Sequence, residues 1–383
     1  MDFQYFAPTR LIIGPGRRKE AGPTIKHFGT KAFLISSGSV NRNGILSELV
    51  RHLNQHAIEV HEYIKPTGEP TAQMTDQATE EARRSKCDIV LSIGGGSVID
   101  LGKAVCALVH NDGSVEDYLE GVGRGQQVVH PVLPHVAIPT TAGTGAEVTR
   151  NAVIRSCEKR YKKSFRHPSL CPTVAILDAE LTLNLPSKQT AYSGMDTITQ
   201  LIESYLSQKA NPITDVLALL GLRMALRSIR QAVQVGDNLE ARAEMLLAST
   251  LSGICLANAG LGLAHGFAAG LGALYDVPHG KACAILLPYA LQINREVALP
   301  RVAQIGRVMC DFESLPMEEA ASLAIREIRT LNDEFAIPHD LREFHIPAEE
   351  HDLLVQRSMG NSMSGNPKTI STTEAHEILK SLV

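Results

Sequence analysis

Three side chains in the C-terminal half carry the donor chemistry of a divalent-metal site. They are Asp196 in SGMDTITQLIES, and His265 and His279 in AHGFAAGLGALYDVPHG. One carboxylate and two imidazoles suit iron or zinc. Asp196 and His265 fall in stretches that read as helix, and His279 in what reads as a turn. One helical turn beyond Asp196 stands Gln200, and one turn beyond His265 stands Ala269. Each shares a helical face with the donor before it. A shell built from histidines would place imidazoles at both positions. Gln200 Oε1 is a weaker fourth donor, and Ala269 supplies none.

A second chemistry lies in two glycine-rich segments. SIGGGSVIDLGKAV sets Gly94, Gly95, Gly96 and Ser97 between a buried strand and a helix. Small residues let a pyrophosphate approach the backbone, and the open amides at the helix start complement its charge. PTTAGTGAEVTRN adds the hydroxyls of Thr140, Thr141 and Thr144 directly after another strand. The pair suits a dinucleotide lying across strand ends. The GxGxxG fingerprint is absent after the first strand.

These groups need elements to hold them. RLIIG (10–14), KAFLISS (31–37), IEVHEYIK (58–65), CDIVLSIGG (87–95) and HVAIPTTAG (135–143) read as strands. Helical stretches such as ILSELVRHLNQH and TAQMTDQATEEARRS separate several of them. That rhythm predicts an α/β domain with a parallel, Rossmann-like sheet. After VAILDAELTLNLP the texture changes near residue 185. TDVLALLGLRMALRSIRQAV, NLEARAEMLLASTLSGICLANA and MEEAASLAIREIRTLNDEF have apolar residues at three- and four-residue spacing. The expectation is a dinucleotide-binding domain over 1–185, an all-α metal and substrate domain over 186–383, and an active cleft between them.

The bulk composition excludes other classes. The chain has 383 residues, 20% of them charged, and a formal net charge of -4. Its basic residues are scattered, and Lys159–Lys163 reads as a solvated hairpin. Neither nucleic acid nor a membrane surface is an expected partner. No apolar run approaches the roughly 18 residues of a membrane span, and MDFQYFAPTR has no signal-like apolar region. The seven cysteines (Cys87, Cys106, Cys157, Cys171, Cys255, Cys283, Cys310) form no CxxC pair and read as reduced core thiols of a cytoplasmic protein.

Five blocks in order, GGGSVIDLGKA, PTTAGTGAEVTRN, LDAELTLNLP, GMDTITQLIE and DVPHG, resemble the signatures of the iron-containing (group III) alcohol dehydrogenases. The resemblance covers nearly the whole chain. It implies reversible hydride transfer between NAD or NADP and a small alcohol or aldehyde, with a divalent metal, iron or zinc. It implies that Gly95, Gly96, Ser97, Thr140, Thr141 and Thr144 hold the cofactor, that Lys162 lies near the nicotinamide ribose, and that Asp196, His265 and His279 bind the metal. Gln200 stands where the family has its fourth ligand, a histidine. Ala269 replaces a further family histidine assigned to proton relay. His265 and His279 are the catalytic candidates.

Alternatives at this altered site are a metal-free carbonyl reductase of the maleylacetate-reductase type and a non-catalytic nucleotide-binding relative. Many family members carry an aspartate close to Ser37. Here Ser36, Ser37, Gly38 and Ser39 are small and neutral and Arg42 is nearby, so NADP is an expected cofactor. The region around Asn151, the helices of Asp196 and His265, and the loop near Tyr275 are the expected substrate surroundings. The resemblance also implies a homodimer or larger homo-oligomer, with RLIIG as a candidate pairing strand.

Overall fold

The computed structural model describes residues 2–156 and 158–383, so the thiol reading of Cys157 lies outside the described residues. The chain divides into two compact units. One holds Ala7–Thr141 and Gly145–Leu185. The other holds the stretch ending at Phe6, the short segment Ala142–Thr144, and Pro186–Val383.

The first unit is α/β. Its elements are β1 (Arg10–Ile13), α1 (Ala21–Lys26), β2 (Lys31–Ser37), α2 (Gly38–Arg42), α3 (Ile45–Gln55), β3 (Glu59–Lys65), α4 (Ala72–Ser85), β4 (Ile89–Gly94), α5 (Gly96–Leu108), β5 (His135–Pro139), β6 (Asn151–Ser156), β7 (Tyr161–Arg166) and β8 (Val174–Leu177). Six strands form one parallel sheet in the order β1-β8-β5-β4-β2-β3. Alternate side chains go to opposite faces. Leu34, Leu91 and Ile138 pack with Ile25, Leu49 and Leu53 on one face. Phe33, Ile35 and Val90 pack with Ala78, Ala82 and Leu101 on the other. Burial on both faces explains the nearly continuous apolar runs of β2 and β4.

The strand order reverses between β2 and β4. From β2 the chain moves outward to β3, and from β4 it moves the opposite way to β5 and β8. Strand ends at such a reversal splay apart and leave a crevice for a ligand. The ends here are Ser37 and Gly94.

Two expectations are adjusted. The strand proposed for 135–143 stops at Pro139, because its neighbour β4 turns away at Gly94 and the last rung is Thr140 N–H to Gly94 O at 2.9 Å. The basic run is a hairpin, β6–β7, but it is only partly solvated. Tyr161 packs beside Ala104, Ala107 and Phe165, and its hydroxyl donates to Glu116 at 2.6 Å.

The second unit is built from helices: α6 (Ser187–Leu206), α7 (Pro212–Gln234), α8 (Leu239–Ala259), α9 (Leu263–Tyr275), α10 (His279–Cys310), α11 (Met317–Glu334), α12 (His351–Ser358) and α13 (Thr372–Leu382). Side chains close several starts. Asn211 and Thr214 form a capping box on α7, and Ser371 and Glu374 form one on α13. α6 is buried from Thr190 to Leu206 and packs against α7, α8 and α10. No single described helix is long and apolar enough to cross a membrane.

Candidate metal centre and cofactor loops

A helix buried all round can afford polar side chains only where each finds a partner. α6 carries Asp196, Gln200 and Glu203, all at most 3% exposed, and each is matched. Asp196 Oδ1 lies 3.2 Å from His265 Nε2 and 3.6 Å from His279 Nε2. Glu203 Oε2 lies 2.6 Å from His265 Nδ1, and Oε1 accepts the Ala264 amide at 2.6 Å. Gln200 Nε2 donates to the Gly143 carbonyl at 3.1 Å, and its Oε1 accepts from Ser252 at 3.3 Å.

Helix packing sets these distances. His265 is in the first turn of α9, and His279 is the first residue of α10 rather than part of a free turn. α10 can start so near α6 because residue 280 is glycine. A Cβ there would stand 2.1 Å from the Tyr192 carbonyl oxygen.

A fourth donor joins the group. Asp196, His265, His279 and Cys283 offer ligand atoms that all lie within 4.8 Å of one another. Cys283 Sγ is 3.8 Å from His279 Nε2, one turn along α10. The sequence pattern puts Cys283 among the reduced core thiols, and the structure adds its polar neighbours. Glu203 is a further residue of the site beyond the sequence candidates. The signals for them are an H-x-x-x-C spacing on one helix and a carboxylate two turns beyond Asp196 on α6. The other described cysteines are free thiols, and Cys310 is exposed rather than core.

The electrostatics favour a cation. Burial opposes the charge on Asp196, but His279 and His265 hold its carboxyl below the usual range. Burial likewise opposes the His265 imidazolium, yet Cys283, Asp196 and Glu203 raise it well above the ordinary histidine value. Burial pushes the Cys283 thiol up to about 12. With its Nδ1 proton given to Glu203, His265 turns Nε2 toward Asp196 Oδ1. Two acceptors face each other at 3.2 Å unless a proton or a metal ion lies between them.

The donor spacing fits a metal. Bonds of about 2.0–2.1 Å to nitrogen or oxygen and about 2.3 Å to sulfur put tetrahedral ligands about 3.3 Å apart for an N/O pair and about 3.6 Å apart for an N/S pair. The observed contacts of 3.2, 3.6 and 3.8 Å fall on that scale. His279, with its side chain 29% exposed, is the accessible member, whereas Asp196 and His265 are enclosed. Ala269 lies on α9 and is half-buried.

In the α/β unit, Gly95 precedes α5 and offers its start no side-chain cap, so the first amides remain open to an anion. A Cβ on Gly95 would sit 3.3 Å from Thr141, which shows how closely the two glycine-rich segments approach. Gly96 and Ser97 form the first residues of α5, and Thr140 follows β5. Thr144 belongs to the segment counted with the helical unit, where Thr197 Oγ1 also holds the Gly143 carbonyl at 3.1 Å.

Ser37 ends β2 one position past the Ser36–Ile93 pair, and its side chain caps α2 through the Val40 amide at 3.3 Å. A Cβ on Gly38 would meet the Arg42 guanidinium at 3.2 Å. Lys162 on β7 pairs with Glu69.

Comparison with known proteins agrees with this architecture. Residues 8–179 match the iron-containing alcohol dehydrogenase family, and residues 190–383 match the C-terminal region of the Fe-containing alcohol dehydrogenase family. The chain belongs to this family. It is 33% identical to the 1,3-propanediol dehydrogenase of Citrobacter freundii, over 99% of this chain and 98% of that one. It is 31% identical to the NAD-dependent methanol dehydrogenase of Bacillus methanolicus, over 98% of each. A crystal structure of a 1,3-propanediol oxidoreductase superposes with a TM-score of 0.94 at 32% identity and full coverage of both chains. The protein is therefore an NAD(P)-dependent alcohol dehydrogenase, an oxidoreductase acting on CH–OH groups, of a family that works with a divalent metal.

Proposed function

We propose that the protein interconverts a small alcohol and its aldehyde, with Asp196, His265 and His279 holding a divalent cation. The observation that carries this reading is the spacing of the three donors, with Glu203 fixing the His265 ring behind them. When bound, the cation would supply a Lewis acid for the carbon–oxygen bond, and the nicotinamide would supply the hydride donor or acceptor. Asp196 supplies negative charge to the site, and Glu203 selects the His265 tautomer that presents Nε2. The 29% exposure of the His279 side chain supports its being the donor nearest an incoming substrate.

In the α/β unit, the open amides of Gly96 and Ser97 after Gly95 take the cofactor's phosphates. Thr140, Thr141 and Thr144 add hydroxyls, and Lys162 supports the nicotinamide ribose. Ser37 and Gly38 line the adenosine end, where the lack of a carboxylate and the nearness of Arg42 favour acceptance of NADP beside NAD. Residues 1–185 then serve the dinucleotide, and 186–383 serve metal and substrate.

The free thiols among the described residues suit a reducing cytoplasm. β1, an edge strand with Ile13 48% exposed, supports pairing between two copies. Two of the relatives' names, methanol and 1,3-propanediol dehydrogenase, favour a short substrate over the long-chain alcohol named for another.

A panel of short aldehydes assayed with NADH and NADPH, before and after chelation, tests the reading. Turnover of short aldehydes that disappears with the metal and returns on reloading is the expected outcome. Full activity of metal-free protein would overturn the metal role. Failure to bind either nucleotide would overturn the whole reading.

A further inference from the structure

Gln200, at the place where the motif resemblance implies the fourth ligand, is engaged elsewhere. Its Nε2 is given to the Gly143 carbonyl and its Oε1 faces the Ser252 hydroxyl. Cys283 is enclosed, has no disulfide partner, and has its sulfur directed at the other three donors. Its sulfur lies 3.8 Å from His279 Nε2, close to the N/S edge of a tetrahedral zinc site. The thiol also shares side-chain hydrogen bonds with Asp196 and His265, so its sulfur is oriented toward the donors rather than only packed among apolar groups.

We propose that Cys283 is the fourth protein ligand, giving the centre an Asp-His-His-Cys donor set. This rests on the metal-assisted reading above. His279 and Cys283 are one turn apart on α10, so one rigid segment presents both donors on one face. Asp196 from α6 and His265 from α9 complete the set. The thiol proton leaves to solvent as the ion is loaded, as metal binding to cysteine requires. A thiolate shifts preference toward zinc or cobalt and away from hard ions such as magnesium or manganese. Gln200 then acts as a positioning residue for the Ala142–Thr144 segment.

Loading the metal-stripped full-length protein with cobalt(II) tests this without reference to turnover. The expected result is one equivalent of cobalt and a thiolate-to-cobalt charge-transfer absorption in the near ultraviolet. Cys283→Ser loses that absorption while still binding cobalt, with affinity lower by at least about tenfold, the lower end of what outer ligand partners carry. Gln200→Ala keeps the absorption. Cobalt bound to the wild-type protein without the thiolate absorption overturns the proposal and leaves the metal-assisted reading standing. The same holds if the absorption persists in Cys283→Ser. Failure to bind cobalt or zinc at all overturns both. Should Cys283→Ser not fold, the wild-type spectrum still decides.

Discussion

Glu203 Oε2 and His265 Nδ1 are 2.6 Å apart, both buried, and the same carboxylate also takes the Ala264 amide. The glutamate thereby fixes both the ring and the start of the helix that carries it. Glu203→Gln preserves the shape but removes the charge that orients the imidazole. Metal affinity should fall by about 10–100-fold. Competition titration against a chromophoric chelator measures it; unchanged affinity would remove Glu203 from the site's support.

Gly280→Ala forces a methyl group 2.1 Å from the Tyr192 carbonyl oxygen, and neither backbone can yield without moving α10 from α6. The cost should be about 1–3 kcal/mol, with metal retention reduced because His279 and Cys283 move together. Gly360→Ala, with nothing within 4 Å of the added Cβ, is the control and should be near neutral. Equal melting temperatures for the two variants would contradict this account of the helix contact.

Ser37→Asp keeps the cap on α2, since aspartate accepts the same amide bond. It also places a carboxylate at the end of β2, beside the strand reversal. Relative kcat/KM for NADPH should drop about tenfold or more against NADH, a repulsion of about 1.4 kcal/mol. A ratio that does not move would show that the 2′ position lies elsewhere.

His135 is buried, 2.9 Å from Ser92 Oγ, and burial followed by the charge of Lys103 lowers its pKa to about 3. The folded value lies below the unfolded one. The unfolded chain therefore binds the extra proton between pH 6.5 and 3, and stability falls as pH falls through that window. The slope approaches about 1.4 kcal/mol per pH unit. Urea midpoints from pH 7 to 5 should show less slope in His135→Gln than in the wild type.

Much of the α/β unit was legible because buried parallel strands carry unbroken apolar runs, and β2 matched its expected limits of 31–37. β5 was overextended because pattern alone cannot register that β4 turns away at Gly94. Asp196, His265 and His279 were readable as donors from type and motif. Cys283 and Glu203 were not. Cys283 has no cysteine partner to mark it; its four-residue spacing from His279 is visible in the sequence, but its nearness to Asp196 and His265 arises only from helix packing. Glu203 lies two turns from Asp196, and nothing local reveals that α9 starts against it.

The donors differ sharply in how far apart they lie along the chain. Asp196 and His265 are separated by 69 residues, whereas His279 and Cys283 are four apart. Closing the long loop carries its entropy cost before the ion can reward it. The pair on α10 needs only one helical turn. The two donors on α10 are therefore preorganised by their own helix, whereas Asp196 and His265 meet only where α6 and α9 pack. Half of the donor cluster is thus a property of one helix, and the other half a property of the packed unit.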